Sequence, residues 1–268
     1  MEDVRLVPVS ARHAVRLAPE LLVLLDRPQQ QDYVVRTITR REANGLPLMS
    51  AEIVIAGRET RDRHAQTREY PLHFRKTYFP GRLHGEPSVE YENQLAASRI
   101  IPVAPPLGYA PDVFRACLVP GTPYARLTPF RGEPPENDLP KARRLELAPA
   151  AGLYRLCEEA FHHLAALHAA GLAHGDAELH NLIVCPSPLE IVVIDFESAI
   201  RREVLTPEAW AARVEADRVP LLREAVFLQC ALGRQRGPLA DVAFERTDAL
   251  FKDGARFRRA IEDHAELD

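Results

Sequence analysis

Residues His174-Gly175-Asp176-Ala177-Glu178-Leu179-His180-Asn181 set a carboxylate two positions after a histidine and an amide five positions after that carboxylate. Ile194-Asp195-Phe196-Glu197 follows, beyond a short stretch of apolar residues and prolines. The side chains of Asp176, Asn181 and Asp195 carry hard oxygen donors, of the kind that a Mg2+ ion takes. A polar turn between two core strands can also carry two acids and an amide. Five specified positions at fixed spacing, however, arise by chance in such a chain only about once in a few thousand cases.

The order His-x-Asp-x-x-x-x-Asn, then Asp-Phe after a short hairpin, resembles the catalytic loop and metal-binding strand end of the protein-kinase-like superfamily. Its protein-kinase version reads His-Arg-Asp with a distal Asn, then Asp-Phe-Gly. Phosphoryl transfer needs positioning and charge neutralisation more than covalent help. The resemblance implies ATP and Mg2+ as cofactors. It implies that Asp176 orients or deprotonates an acceptor hydroxyl, while Asn181 and Asp195 hold Mg2+ against the phosphates. His174 would hold the loop by hydrogen bonds, and Phe196 would sit beneath the metal-binding aspartate.

The same resemblance implies a phosphate-gripping lysine on a strand and a glutamate on the next helix. Of 34 basic residues only Lys76, Lys141 and Lys252 are lysines, and Lys76 lies in the strand-like His73-Phe74-Arg75-Lys76-Thr77-Tyr78. Glu92 is the candidate partner, with Glu90 a close competitor, because each residue turns a helical side chain by about 100° and only one of the two can face the strand. Pro120-Gly121 is a turn signal placed for a hinge, and joins Lys76 and Glu92 in the expected nucleotide-binding set. Asp217 stands where the superfamily commonly has an acid that bonds the catalytic-loop backbone from a helix start. An ordinary helix N-cap is the competing reading.

The chain departs from the protein-kinase pattern in several places. No Gly-x-Gly-x-x-Gly precedes Lys76, so the nucleotide-covering turn is either Arg41 to Ser50, around Asn44-Gly45, or a segment starting at Gly57. Gly175 replaces the arginine that pairs with activation-loop phosphate in many protein kinases. Glu197 replaces the glycine of Asp-Phe-Gly, removing the easiest position for a positive φ, and its carboxylate could approach a metal. Thr206-Pro207-Glu208 stands where protein kinases have Ala-Pro-Glu, but a Pro-Glu pair also opens helices for capping and dipole reasons, and that reading is preferred.

These likenesses point to a compact serine/threonine protein kinase resembling RIO-type and other minimal members with a His-Gly-Asp loop. The alternatives are a small-molecule kinase resembling aminoglycoside phosphotransferases or choline kinases, and a nucleotide-binding pseudokinase. The acceptor is accordingly a protein or small-molecule hydroxyl.

Elements that could position these residues follow from patterning. Tyr33 to Ile38, Ala51 to Ala56 and Leu72 to Tyr78 read as strands, and Ser88 to Ile100 as a helix. Val103 to Leu107 and Val113 to Val119 continue the sheet. Residues 128 to 149 look like a surface insertion. The apolar set Leu153, Leu156, Cys157, Ala160, Leu164 and Leu167 marks an amphipathic helix that stops at Gly171. Leu182 to Val184 and Ile191 to Ile194 make a hairpin, and Pro207 to Leu267 is mostly helical. The expected class is α+β, a bilobal protein-kinase-like fold: an antiparallel N-lobe sheet with one helix over residues 1–120, and a mostly helical C-lobe over 121–268.

Composition limits the partners. A net charge of −4 argues against nucleic acid and anionic membrane as partners. Leu17 to Leu25 is too short and too interrupted for a membrane span or a signal peptide. The four cysteines form no Cys-x-x-Cys pair, which excludes a readable zinc site or disulfide framework and suits a cytoplasmic protein. Oligomeric state is not encoded in any pattern here.

Overall fold

The computed structural model describes residues 5–43, 46–79, 86–128 and 150–231. The chain divides into two compact units, residues 1–121 with 194–199 and residues 122–193 with 200–268.

The first unit begins with a small antiparallel ribbon, β1 (Leu6–Pro8) and β2 (Ala14–Arg16), and a short helix, α1 (Pro19–Asp26). Two long strands follow, β3 (Tyr33–Ala43) and β4 (Leu46–Ile55), then two short helices, α2 (Arg58–Arg63) and α3 (Gln66–Glu69). The central strand β5 (Leu72–Tyr78), helix α4 (Pro87–Ala97) and strands β6 (Pro106–Ala110) and β7 (Val113–Cys117) complete the unit. The five long strands form one antiparallel sheet in the order β3-β4-β5-β7-β6.

The apolar run at Leu17 to Leu25 belongs to this unit's core. Leu21, Leu22 and Leu25 of α1 pack with Val7, Val9, Ile55 and Leu72. One expected sheet segment is displaced: Val103 makes only an isolated bridge, and the strand β6 begins at Pro106. Val103 and Ala104 are buried.

Alternation along β5 sends Phe74, Lys76 and Tyr78 to one face and His73, Arg75 and Thr77 to the other. On the second face, Arg75 stands opposite Arg115 of β7. Asp32, just before β3, makes that pairing tolerable: its Oδ2 accepts from Arg75 Nη1 at 3.1 Å and from Arg115 Nη2 at 3.4 Å. Its Oδ1 accepts the Gly57 N–H at 3.0 Å. Gly57 is pressed so closely on this segment that a Cβ there would lie 2.3 Å from the Gln31 carbonyl carbon, which requires glycine.

The second unit contains β8 (Thr122–Pro123), the long helix α5 (Ala150–Ala169), β9 (Leu172–Ala173), the hairpin β10 (Leu182–Pro186) and β11 (Leu189–Val193), β12 (Ile200–Arg201) and helix α6 (Pro207–Ala231). Strands β11, β10 and β8 pair antiparallel, as do β9 and β12. All six apolar positions read as the stripe of α5 are buried, and Gly171 beyond its end has a φ of 80°. Thr206 caps α6, its Oγ1 accepting the Ala209 N–H at 3.2 Å, with Pro207 as the first helical residue. Thr206-Pro207-Glu208 is therefore a helix start. Of the expected insertion at residues 128 to 149, all but Thr128 lies outside the described residues, as do the expected helices at 232–267.

The α+β class, with an antiparallel sheet and one main helix before long helices, is the one expected. Among the described residues no helix is long and apolar enough to cross a membrane.

Glu224 of α6 is fully buried, with the Tyr124 hydroxyl donating to Oε1 at 3.2 Å. Burial pushes its carboxyl up to about 7, against the hydrogen bonds of Thr128 and Tyr124. A raised folded-state value means that Glu224 favours the fold at low pH, and that this contribution is lost as pH rises from about 4.5 through about 7. Ionising it in place costs about 3 kcal/mol. Glu224→Gln should therefore flatten the fall in melting midpoint between pH 5 and pH 8. An equally steep fall in the variant would show that another group is responsible.

Candidate functional site

In the first unit the sheet presents Lys76, 3% exposed, beside Tyr78 on the same face. Its Nζ lies 3.4 Å from Glu90 Oε1 and 2.7 Å from Asp195 Oδ1. Glu197 Oε2 is nearer still, at 2.5 Å. The Tyr78 hydroxyl makes a short hydrogen bond to Glu90 and another, of 3.1 Å, to Glu197. Burial alone would lower the lysine's pKa, but Glu90, Asp195 and Glu197 outweigh it and hold it above the ordinary value. The side chain stays an ammonium. Burial pushes the Glu90 carboxyl up to about 7; Lys76 opposes that rise, and the charges of Asp195 and Glu197 reinforce it.

The expected partner, Glu92, is not part of this group. It is exposed, whereas Glu90 is 1% exposed. Helix α4 buries Glu90, Asn93, Gln94 and Ala97, which is the i, i+3, i+4, i+7 face. Two residues farther on, about 200° around the helix, Glu92 points away. Gln94 Nε2 donates to the Ala104 carbonyl at 2.5 Å and Asn93 Nδ2 to the Ala199 carbonyl at 3.0 Å, so polar bonds as well as apolar contacts set the helix phase.

Asp195 has a φ of 68°, in the left-handed region, followed by a single 3₁₀ turn, Phe196–Ser198. The positive φ thus falls on the aspartate itself, so Glu197 in place of glycine costs nothing there. Phe196 is fully buried. Pro120 is half-buried and Gly121 exposed, in a tight turn in which the Gly121 N–H donates to the Val119 carbonyl at 3.0 Å. Of the two candidate covering turns, Asn44-Gly45 lies outside the described residues. Gly57 starts α2 and is fully accounted for by its approach to Gln31.

In the second unit the loop after β9 is held by Asp217. The Asp217 carboxylate accepts the His174 N–H at 2.7 Å and the Gly175 N–H at 2.8 Å. His168 Nε2 lies 2.9 Å from the same carboxylate. Asp217 does not open a helix: it sits inside α6, ten residues after Pro207, so the N-cap reading is excluded. Gly175 has a φ of 85°, a conformation that an arginine at this position would resist. His174 is fully buried and its Nδ1 accepts the Asp176 N–H at 3.3 Å. Asn181 Nδ2 donates to the Asp176 backbone carbonyl at 2.8 Å and to its Oδ2 at 3.1 Å, fixing one side chain against the other.

The structure therefore gathers Lys76, Asp195, Glu90, Glu197 and Tyr78 in one unit, and His174, Asp176, Asn181, Asp217 and His168 in the other. Tyr78, His168 and the contact of Glu197 with Lys76 were not foreseen. The i, i+2 spacing of Lys76 and Tyr78 within a strand was the available signal for Tyr78. Among the described residues no group of three or more His, Cys, Asp or Glu side chains is arranged to hold a metal by itself. Asp195 in the first unit and Asn181 in the second each carry a side-chain oxygen of the hard type.

Asp217→Ala should strand the buried His174 N–H and the part-buried Gly175 N–H and cost about 2–4 kcal/mol, read as a fall in the urea midpoint. A loss below about 0.5 kcal/mol would mean that the loop does not depend on this carboxylate.

No protein-family model matches the chain, and no curated protein sequence matches it. Among solved structures it is similar to a Rio2 kinase from Chaetomium thermophilum, in complex with ADP, Mg2+ and phosphoaspartate, at 17% identity and a TM-score of 0.43, covering 96% of this chain and 80% of that one. It is also similar to a double mutant of the PknI kinase domain of Mycobacterium tuberculosis, at 15% identity and a TM-score of 0.46, covering 88% of this chain and 96% of that one. The element order of this chain, an antiparallel sheet with one helix after its central lysine-bearing strand, then a long helix, a His-Gly-Asp loop, a hairpin and Asp-Phe, is that of the protein-kinase-like fold.

Proposed function

We propose that this chain is an ATP- and Mg2+-dependent phosphotransferase that moves a γ-phosphate to a hydroxyl, with a protein serine or threonine as the acceptor. The observation that carries the reading is Lys76, a buried ammonium held by Glu90 and Asp195. These residues come from a strand, a helix and the turn after a hairpin, separated by 14 and 119 positions from the lysine. An ammonium so held is a fixed point charge for phosphate oxygens.

Asp176 would orient or deprotonate the acceptor hydroxyl, and its bond from Asn181 supports a fixed geometry for that task. Asn181 and Asp195 would each lend an oxygen to Mg2+, which when bound neutralises charge on the phosphates. Pro120 and Gly121 would contribute to the nucleotide-binding side of the first unit. The free, buried cysteines Cys117, Cys157 and Cys185 suit a reducing cytosol. A small cationic acceptor would need an acidic pocket, and Glu197, the carboxylate nearest Asp195 in the chain, is already held by Lys76 and Tyr78; this favours the protein acceptor.

The test is incubation with γ-labelled ATP and Mg2+, first alone, then with generic protein substrates, then with amino alcohols and aminosugars. Label in protein is the expected result. Label in small molecules only would replace the acceptor, and nucleotide binding without any transfer would refute the enzyme.

A further inference from the structure

Three carboxylates share one ammonium in the first unit. Lys76 Nζ lies 2.5 Å from Glu197, 2.7 Å from Asp195 and 3.4 Å from Glu90, so its tightest partner is the residue that replaces the glycine of Asp-Phe-Gly. The ammonium donates hydrogen bonds to Asp195 and Glu90 and is ion-paired with Glu197. The Tyr78 hydroxyl lies between Glu90 and Glu197 and joins them into the same network. Glu90 is 2% exposed at its side chain, and Glu197 is 19% exposed, on a short turn.

A phosphate oxygen that reaches Lys76 competes with these three carboxylates for its charge. Glu90 is buried on the inner face of its own helix, α4, and Asp195 is wanted for the metal, which leaves Glu197 as the surplus carboxylate. Resting on the reading of Lys76 as the phosphate-gripping residue, we propose that Glu197, steadied by Tyr78, is a positioning residue that latches Lys76 in the nucleotide-free protein and competes with nucleotide phosphates for it. A residue that merely supported the fold would weaken nucleotide binding when altered. A latch has the opposite sign: its removal tightens binding.

Glu197→Gln keeps the size while removing the charge and turning one acceptor oxygen into a donor. In the full chain, acetic anhydride labelling of Lys76, followed by mass spectrometry with Lys141 and Lys252 as references for reagent dose, should rise about threefold or more over the wild-type ratio. Mg2+-ADP binding by calorimetry should tighten by about threefold or more. Unchanged Lys76 labelling overturns the latch, and so does weaker or equal ADP binding in the variant. If neither protein binds Mg2+-ADP, the phosphotransferase reading fails, and the latch is decided by labelling alone. Should Glu197→Gln lose its cooperative melt, Tyr78→Phe takes its place, with raised Lys76 labelling supporting the latch and wild-type labelling overturning it.

Discussion

Asp195→Asn and Asp195→Ala should each abolish Mg2+-dependent transfer, by about a thousandfold or more, with the fold retained. The loss follows from removing a carboxylate that the proposed chemistry needs for charge neutralisation. The fold survives because Lys76 keeps Glu90 and Glu197 as partners. The two variants separate site from backbone: asparagine tolerates the φ of 68°, whereas alanine in that region costs about 1 kcal/mol. Alanine should therefore melt a few degrees lower than asparagine, with equal loss of activity. Turnover retained in the asparagine variant would show the metal assignment to be wrong.

Lys76→Met should be the most destabilising single change in the first unit, by about 4 kcal/mol at pH 8, because it leaves Glu90, Asp195 and Glu197 without their shared cation. Its pH dependence identifies the cause. Lys76 holds the Glu90 carboxyl down against burial, so its removal raises that group beyond about 7. A carboxyl with a raised folded-state value destabilises as pH rises through it, and the penalty disappears below the unfolded value of about 4.5. The gap in melting midpoint between the variant and wild type should thus be wide at pH 8 and narrow at pH 5. A gap of constant width would mean lost packing, with no part for uncompensated charge.

The elements around the candidate site were legible where the pattern is local in the chain. His174 to Asn181 lies within eight residues, and the apolar periods on either side fix the long helix and the hairpin. What could not be read depends on helix phase and on tertiary bonds. In α4, Val89 is 42% exposed, and the buried face carries Glu90, Asn93 and Gln94. Hydrogen bonds to Ala104 and Ala199 pay for that polar burial, and no pattern in the sequence announces them. Asp217 lies inside α6 instead of at a helix start, and α6 carries Pro220 in its interior. The contact of Glu197 with Lys76 spans 121 positions and had no local sign.

Asp32 has a consequence for how the sheet finds its pairing. Its carboxylate reaches Arg75, Arg115 and the Gly57 amide together only when β5 and β7 are aligned with Arg75 opposite Arg115. Slipping either strand by one residue would send its arginine through to the opposite side and abandon half of the aspartate's counter-charge in the interior. Mispaired forms of the sheet are thereby penalised electrostatically, in addition to the apolar residues they would expose.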